Sequence, residues 1–509
     1  MRSPLSHAIF LRFTFFALLF SSCSPSSPPP TATLFTIPTL TPTLVAAIPE
    51  TATPDSIPFG DTGALDTAIP SLPNPHYILN VTLDYRRKRL TVEEIILYPN
   101  ATGETLNDLV LAVMPNIWEG VFKLNKLELN GAPSKKYKLD GQRLTIQLPT
   151  SLPPNGTVEL SLAYSLILPE IQAELSTTKV LPQFFGYTDR QQNLVNWYPF
   201  IVPRDADGWI LHDPWYFGEH LVYDAADFEV NIKNAEEGIR PTIAASAFGE
   251  PNGEWTRFTL DNARTFAFSA STEFRRSVAN AGNVFVYSYY FPSNEVPGEA
   301  AAIAAADAIN VFSQRFGPYP HESLTIVMSD FNDGAEFSGF FFLSKGFYKS
   351  YDSTRANYLT FISAHETAHQ WWFEQVANDQ YLEPWLDEAL CAYSEHIFYE
   401  GKDSPLLSWW WTHRVDAYTP HGYMDIPLNT SFEDEMYRQY VNAVYLRGAQ
   451  FLDALRYRIG DEAFFAFLQD YLNQFKGKRA TADDFFTVLR QHTDADISDL
   501  MNEYFQTQH

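Results

Sequence analysis

The hydrophobic pattern of this chain changes its period near Pro297, and this change divides the sequence into two kinds of structure. From about Tyr77, apolar and polar residues alternate, as in Tyr77-Ile78-Leu79-Asn80-Val81-Thr82-Leu83, which is typical of half-buried strands. Beyond Pro297 the apolar residues recur at helical spacing. We therefore predict an all-β domain over residues 71–275 and an α/β to mostly helical domain over residues 276–509.

Turn signals support the β prediction for the first of these regions. Asn130-Gly131, Asp140-Gly141 and Asn155-Gly156 lie between apolar runs, and such pairs are the strongest short-range signals for hairpins. The further strands that we predict are residues 227–233, 255–260, 265–270 and 284–290.

The second region begins with an Ala-rich predicted helix, residues 300–316, which ends before Gly317-Pro318-Tyr319-Pro320. Predicted strands at 324–328 and 340–343 enclose a glycine-containing stretch. The other predicted helices run from Ser353, as the N-cap, to residue 376, then over 384–399, 440–459, 462–475 and 482–492.

The first 23 residues have the features of a secretion signal. An apolar stretch, residues 13–20, is followed by small residues and Cys23, which resembles a bacterial lipoprotein signal with Phe20 in place of the usual Leu. Residues 24–70 are rich in Ser, Pro and Thr and are predicted to form a disordered tether. We expect an extracytoplasmic protein anchored to the membrane by lipid on Cys23, with simple secretion after cleavage as the alternative.

The overall charge restricts the partners of the chain. A formal net charge of -26 argues against nucleic acid, because nucleic-acid binding requires basic surface. With 45% hydrophobic and 19% charged residues, the composition is that of a globular protein.

One short motif points to a metal. His365 and His369 are four residues apart, so one face of a helix can present both imidazoles to a single ion. Glu366 lies beside the first imidazole and can act as a general base on a water molecule. The alternative is a helix whose histidines only pack.

A second motif supplies a third ligand. Glu388 follows His369 by nineteen residues and lies near the start of the next predicted helix. Two antiparallel helices can bring Glu388 opposite the two histidines, which leaves a fourth tetrahedral position of Zn²⁺ for water. We therefore predict one Zn²⁺ per chain and hydrolytic chemistry. The alternative is that Glu388 is a solvated glutamate.

The imidazoles of such a site require acceptors for their other N–H groups. Glu395 lies seven residues after Glu388, two turns along the same helix face, and is the predicted acceptor.

The two motifs together resemble those of the aminopeptidase N family of zinc metallopeptidases, gluzincins that include leukotriene hydrolases. The resemblance covers His365-Glu366-Thr367-Ala368-His369-Gln370-Trp371-Trp372 and Trp385-Leu386-Asp387-Glu388-Ala389, with Asp387 and Ala389 in place of the usual Asn and Gly. It extends to Asn196-Trp197-Tyr198-Pro199 and to Gly317-Pro318-Tyr319-Pro320. It implies a saddle-like β-sandwich followed by a thermolysin-like catalytic domain, without the extra C-terminal helical domains of longer members.

The same resemblance implies roles for two further residues. Tyr445, in Tyr445-Leu446-Arg447-Gly448-Ala449, matches a tyrosine that stabilises the tetrahedral intermediate. Glu336, in Asp333-Gly334-Ala335-Glu336-Phe337, matches a glutamate that binds the free N-terminus of the substrate, although the Met and Asn around it are replaced. The alternatives are a core aromatic for Tyr445 and an edge-strand carboxylate for Glu336.

These residues together predict a zinc aminopeptidase that acts on peptides. The changes around Glu336 leave a zinc endopeptidase of relaxed N-terminal specificity as an alternative. A non-catalytic peptide-binding homologue is the third possibility, although the ligands, the base and Tyr445 are all retained.

Overall fold

The chain is represented by a computed structural model whose described part begins at Pro73. The described residues are 73–171, 184–331, 334–431 and 437–507. The predicted signal and tether, including Cys23, lie outside them. Among the described residues, no helix has both the length and the apolar character that crossing a bilayer requires.

The N-terminal part of the described chain consists of strands whose residues alternate in burial. In the first strand, Tyr77, Leu79, Val81 and Leu83 are buried, while the residues between them are half-buried. In chain order the strands are β1 (His76–Asp84), β2 (Arg89–Pro99), β3 (Leu106–Ala112), β4 (Phe122–Leu129), β5 (Ala132–Pro133), β6 (Tyr137–Asp140), β7 (Arg143–Leu152), β8 (Thr157–Ile167), β9 (Gly186–Tyr187), β10 (Gln192–Leu194), β11 (Phe200–Ile201), β12 (Arg204–Asp205), β13 (Gly208–Trp209), β14 (Ala226–Asn234), β15 (Thr242–Ala245), β16 (Gly249–Asn252), β17 (Trp255–Ala263) and β18 (Phe268–Ser271).

These strands form one large sheet and several smaller ones in the described part of the chain. The large sheet has the order β16-β17-β14-β1-β2-β8-β4-β5, and its pairs are antiparallel except for β1 with β14. The smaller sheets have the orders β15-β18-β10-β9, β11-β3-β7-β6 and β12-β13. A turn of 3₁₀ helix, Met114–Ile117, connects β3 to β4. The predicted β-rich N-terminal domain is therefore confirmed.

Two of the three predicted hairpins form. Asn130-Gly131 joins β4 to β5 with both residues at positive φ, and Gly141 closes the hairpin of β6 and β7. The third prediction is wrong, because the turn at Asn155-Gly156 connects β7 to β8, which belong to different sheets. Its backbone amides bond outside any hairpin ladder, since Asn155 N donates to the carbonyl of Asn100. A turn signal specifies the local reversal of the chain, while the pairing partner is selected by tertiary packing.

The C-terminal part combines a small sheet with helices. In chain order its elements are β19 (Arg275–Ala281), β20 (Val284–Tyr290), α1 (Glu295–Arg315), β21 (Ser323–Met328), β22 (Ala335–Phe337), β23 (Phe340–Leu343), α2 (Lys345–Ser350), α3 (Tyr358–Ala368), β24 (Val376–Ala377), α4 (Trp385–Lys402), α5 (Leu407–Trp410), α6 (Leu428–Ser431), α7 (Tyr437–Tyr440), α8 (Gly448–Ile459), α9 (Asp461–Phe475), β25 (Lys478–Arg479), α10 (Ala482–His492) and α11 (Ser498–Tyr504). The predicted α/β to helical arrangement of this part is confirmed.

The sheet of the C-terminal part has the order β19-β20-β21-β23-β22 among the described residues. Strand β22 pairs only with β23 in this order and runs antiparallel to it. It therefore forms an edge of the sheet and brings Glu336 there. Helix α3 packs against α1 and α4, so the predicted metal-binding helices are neighbours.

Helix α3 is shorter than predicted at both ends. Its N-cap is Asn357, whose side chain accepts from the amide of Thr360, whereas Ser353 lies in an earlier turn with φ 65. Beyond Ala368 the chain leaves the helix and turns at Phe373, which has φ 147. The apolar pattern continues past the helix because Trp371 and Trp372 are buried. The predicted extension to residue 376 is therefore wrong.

A buried arginine joins the two parts of the molecule behind helix α3. Arg264, which follows β17, donates from its guanidinium to the carbonyls of Glu374 and Lys478 at 3.0 and 2.9 Å. Its backbone amide also reaches the C-terminal part, since it donates to the hydroxyl of Ser338 at 2.9 Å. This buried contact holds the β-rich part against the segment that follows the metal-binding helix.

Candidate functional site

Three buried side chains converge between helices α3 and α4. The Nε2 atoms of His365 and His369 lie 3.2 and 3.8 Å from Oε2 of Glu388. Each of the three residues offers a ligand atom, and these atoms all lie within 4.8 Å of one another. Two imidazole nitrogens and one carboxylate oxygen are a donor set that suits Zn²⁺ and leaves a position for water or substrate. The three predicted ligands are thus brought together.

The outer nitrogen of His365 has a charged acceptor. Its Nδ1 lies 2.9 Å from Oε1 of Glu395, which is completely buried. Trp410 and Arg414 donate to the same carboxylate at 2.8 and 2.9 Å. Burial alone would raise the pKa of Glu395, but Arg414 and His365 hold it below its ordinary value. Glu395 therefore lies where the sequence predicted an acceptor, and it orients His365 so that Nε2 faces the other donors.

The outer nitrogen of His369 is held by Asp387, which the sequence analysis did not select. Oδ1 of Asp387 lies 2.6 Å from Nδ1 of His369, and the amide of Gln380 donates to the other carboxylate oxygen. The thiol of Cys391 lies 3.3 Å from the same Nδ1. The sequence offered one signal for Asp387, its position directly before Glu388. Both residues lie in the first turn of α4, and α4 packs against α3.

The predicted base, Glu366, lies beside these donors. Glu336, Glu366 and His369 each offer an atom that lies within 4.8 Å of the others. The backbone of Gly334 passes close by, because a Cβ built there would lie 3.8 Å from Oε1 of Glu366. The carboxylate of Glu366 therefore lies between the metal ligands and the edge of the small sheet.

Tyr445 lies on the other side of Glu388. Its hydroxyl donates to Oε1 of Glu388, and its ring stacks on His365 at 5.8 Å with an interplanar angle of 11°. Burial raises the pKa of the Tyr445 hydroxyl well above its ordinary value, so the phenol is neutral at pH 7. It belongs to a π-helical segment, Val441–Arg447, that continues from α7 into α8. Such irregular turns are frequent at functional sites because they re-aim a side chain.

Glu336 points from strand β22 toward the metal ligands. It is 8% exposed, and the amide of Gln380 donates to its Oε1 at 3.2 Å. Burial raises the pKa of Glu336 to about 8, with further contributions from the acidic residues around it. A buried carboxyl of this kind is well placed for a cationic group of a ligand.

A second carboxyl group near the ligands, that of the half-buried Glu219, was missed by the sequence analysis. Burial raises the pKa of Glu219 well above its ordinary value, and the nearby charges of Glu336 and Glu388 raise it further. It comes from the connection between β13 and β14 in the β-rich part, which carries no recognisable motif. The preceding Gly218 has φ 69, and a Cβ there would lie 2.8 Å from Leu428. Nothing in the sequence pattern links this loop to the metal ligands.

Glu219 and Glu336 share one cavity. Its empty volume is about 720 Å³, a figure that includes the open solvent at its mouth. Gln380, which bonds both Glu336 and Asp387, also lines it. The cavity therefore adjoins the metal ligands and receives residues from both parts of the molecule.

The sequence relatives of this chain are aminopeptidases. Residues 301–504 match the family model of the peptidase family M1 domain. Aminopeptidase M1-D of Oryza sativa subsp. japonica is 25% identical over 253 residues, which cover 46% of this chain and 28% of that protein. Aminopeptidase N of Lactococcus lactis subsp. lactis is 23% identical over 371 residues, covering 65% of this chain and 43% of that protein. The matched region thus spans less than half the length of these relatives.

Solved structures share the fold. The M1 zinc metallopeptidase of Deinococcus radiodurans is 20% identical, with a TM-score of 0.61 over 86% of this chain and 95% of that chain. At this identity the likeness shows the fold. A β-rich part followed by a helical part with a two-histidine, one-glutamate donor set defines the metallopeptidase class. Within that class, residues 301–504 match the M1 family, and the relatives named above are aminopeptidases of which this chain covers less than half.

Proposed function

We propose that the protein is a zinc aminopeptidase, which removes the first residue of a peptide with a free N-terminus. The observation that carries this proposal is a pair of carboxyl groups, the buried Glu336 and the half-buried Glu219, in a cavity beside the metal ligands. A free α-ammonium is the cationic group that every unblocked peptide carries at its N-terminus. The names of the relatives, aminopeptidases M1-D and N, agree with the proposal.

Covalent geometry limits cleavage to the first peptide bond. In any peptide the N-terminal nitrogen and the carbonyl carbon of the first residue are two bonds apart, about 2.5 Å. Glu336 offers an oxygen within 4.8 Å of an atom of Glu366 and of His369. An ammonium paired with Glu336 therefore brings only the first carbonyl to the reacting groups. The second carbonyl is a further residue away, about 3.3–3.6 Å.

The metal centre requires little rearrangement to hold its ion. His365, His369 and Glu388 would bind one Zn²⁺, which polarises the scissile carbonyl and lowers the pKa of a bound water molecule. Glu395 and Asp387 fix the imidazoles through their Nδ1 atoms. Their negative charges also increase the basicity of the two ligands.

The proton transfers are assigned to Glu366. Its carboxylate takes a proton from the attacking water and delivers it to the nitrogen of the leaving amine. Tyr445 donates a hydrogen bond to the carbonyl oxygen as that oxygen gains negative charge, which requires its hydroxyl to turn from Glu388 to the substrate. A neutral phenol can make this bond at pH 7, since its pKa is raised by burial.

One pair of substrates distinguishes an aminopeptidase from an endopeptidase and from a non-catalytic homologue. A peptide with a free N-terminus and the same peptide acetylated are incubated with the zinc-loaded protein, with and without chelator. We expect cleavage of the free peptide only, lost on chelation. Equal cleavage of both would favour the endopeptidase alternative. Absence of cleavage in zinc-loaded protein would favour the non-catalytic peptide-binding homologue.

Membrane attachment is a separate proposal, supported only by the sequence. We propose that Cys23 carries lipid and that residues 24–70 tether the peptidase outside the cytoplasm. In cells fed labelled palmitate, we expect the label on the wild-type chain and not on Cys23→Ser. Palmitate label on Cys23→Ser would contradict the proposal. A wild-type chain found in the medium without label would favour simple secretion.

A further inference from the structure

A second cavity lies in the β-rich part and is separate from the cavity beside the metal ligands. The two cavities share no lining residue. The second cavity has a volume of about 740 Å³, which includes the open solvent at its mouth. Most of its lining comes from the turn between β1 and β2, the connection between β14 and β15, and the segment from β9 to β10. The groups that meet there are therefore remote in sequence.

The second cavity is basic, although the chain as a whole has a net charge of -26. Arg86, Lys88 and Arg240 line it. The single acid among its described lining residues is Asp189, which is exposed to solvent. Arg86 shares its charge with Glu236, whose Oε1 lies 3.8 Å from its Nε. Within the described part of the chain, no carboxylate oxygen lies within 4.0 Å of the cationic nitrogens of Lys88 or Arg240. These two cations are available to an anionic ligand.

The ammonium of Lys88 is held in position by its surroundings. Lys88 is half-buried, and its Nζ lies 3.4 Å from the ring centroid of Tyr187, over the face of the ring. Its backbone adopts a left-handed conformation, with φ 55, and its carbonyl accepts from the amide of Leu168 at 2.9 Å. A side chain that is already ordered loses less entropy when it binds a ligand. Lys88 is therefore prepared for an anion.

A buried amide lines the same cavity. Gln192 is 3% exposed, and its Nε2 donates to the carbonyl of Tyr85 at 2.6 Å. That bond fixes the orientation of the amide, and Oε1 is left buried with no hydrogen-bond partner among the described residues. The neighbouring Gln191 differs, because its Oε1 accepts from the amide of Asp330 at 2.9 Å. A buried acceptor such as Oε1 of Gln192 favours a ligand that carries a hydrogen-bond donor.

We propose that the second cavity binds a phosphate monoester of a sugar or polyol. The phosphate lies at Lys88 and Arg240, and a hydroxyl of the ligand donates to Oε1 of Gln192. A phosphate monoester carries about 1.5 to 2 negative charges at pH 7 and three acceptor oxygens, which suits two cations without acidic partners. A carboxylate would supply only one charge. This site is independent of the proposed peptidase function, so binding alone tests it.

Three soluble probes test the chemistry of the ligand. Calorimetry on the zinc-loaded protein should show that glycerol 3-phosphate binds, that methyl phosphate binds more weakly, and that glycerol does not bind. Glycerol 3-phosphate should also raise the midpoint of thermal unfolding, because a ligand of the folded state stabilises it. Absence of binding by glycerol 3-phosphate, or equal affinity for methyl phosphate, would overturn the proposal.

Variants of the charged residues locate the site. Lys88→Gln and Arg240→Gln each remove a cation, so each should weaken the binding of glycerol 3-phosphate by about tenfold or more. Asp189→Asn removes the opposing charge and should strengthen it. The matched control is Arg87→Gln, in the same turn as Lys88 but outside the cavity and paired with Asp84. Wild-type affinity in both Lys88→Gln and Arg240→Gln would overturn the proposal, because the phosphate would then bind elsewhere, for example at the metal.

A variant of the amide tests the contact with the hydroxyl. Gln192→Met removes the acceptor at similar side-chain size, so it should abolish the preference for glycerol 3-phosphate over methyl phosphate and retain the affinity for methyl phosphate. Far-ultraviolet circular dichroism checks that the variant is folded. A preference that persists in the folded variant would overturn the role of Gln192. If the variant does not fold, the wild-type comparison of the two phosphates still decides.

Vesicles distinguish a soluble monoester from a lipid headgroup of related chemistry. The phosphodiester of phosphatidylglycerol carries one charge and a glycerol, so its vesicles should retain no more protein than vesicles of phosphatidylcholine. Excess retention on phosphatidylglycerol that is lost in Lys88→Gln would overturn the assignment to a soluble monoester.

Discussion

The metal centre and the substrate cavity lie side by side, yet they are built in different ways. The three ligands come from two neighbouring helices, α3 and α4, and each imidazole is locked by a buried carboxylate. The cavity instead combines Glu336 from an edge strand with Glu219 and Trp118 from loops of the β-rich part. The metal ligands and the base are therefore local in the chain, while the groups that recognise substrate are dispersed.

This difference separates chemistry from recognition. A helix fixes residues four apart on one face, so a short motif is sufficient to place two ligands. Loops that connect strands generally tolerate change better than packed helices such as α3 and α4. We expect substitutions at the metal centre to impair turnover or zinc affinity, and substitutions in the cavity to impair substrate recognition.

Substitution of the general base, Glu366, should have the largest effect on kcat. Glu366→Gln removes the proton acceptor but not a ligand, so we expect kcat to fall by about 10²–10⁴-fold with zinc content unchanged. Elemental analysis and a peptide assay measure the two quantities. Glu299→Gln, on an exposed position of α1, is the control and should match wild type. Near-wild-type turnover in Glu366→Gln would contradict the mechanism.

The cavity carboxylates should affect recognition without loss of metal. Glu219→Gln and Glu336→Gln each remove an acidic hydrogen-bond partner of the ammonium, so each should lower kcat/KM for a free peptide by about tenfold or more. The double variant should lose most of the discrimination between free and acetylated peptides. The exposed Glu250→Gln in β16 serves as the control. Retained discrimination in the double variant would remove both residues from this role.

Loss of the carboxylate that accepts from His365 should weaken zinc binding more than it weakens substrate recognition. Glu395→Gln leaves a weaker acceptor and removes the charge that faces Arg414, so we expect about 10–100-fold weaker zinc affinity. Competition with a chelator of known affinity measures this change. Glu400→Gln, on the same helix but paired with Arg456, should retain the wild-type affinity. An unaltered zinc affinity in Glu395→Gln would contradict its assignment.

Asp387→Asn should have the smallest effect of these variants, and that effect should be on zinc affinity. The amide oxygen of Asn can still accept from Nδ1 of His369, so zinc affinity should change by less than about tenfold. Asp387→Ala, which removes the acceptor, should change it more in the same chelator competition. Equal affinities for the two variants would show that Asp387 does not orient His369.

The part of the site that is local in the chain could be predicted from sequence. The spacing of His365 and His369 specifies one helix face, and the motif around Glu388 indicates the adjacent helix. Glu395 followed from the same helical period. These inferences require only helical geometry and the packing of two consecutive helices.

Other features depended on tertiary packing and could not be predicted. Glu219 and Trp118 reach the cavity from loops without a motif, so only the folded chain brings them to Glu336. The turn at Asn155-Gly156 was predicted correctly as a reversal and wrongly as a hairpin, because pairing partners are chosen by sheet packing. The end of α3 was misjudged because buried aromatics continue the apolar pattern after Ala368.

The central claim is that the cavity carboxyl groups of Glu219 and Glu336, beside the metal ligands, restrict hydrolysis to the first peptide bond. Mass spectrometry of an unblocked decapeptide incubated with the zinc-loaded protein tests it most directly, with Glu366→Gln as the control. The account predicts products that shorten one residue at a time from the N-terminus. Internal fragments formed from the intact peptide, and absent with Glu366→Gln, would contradict it.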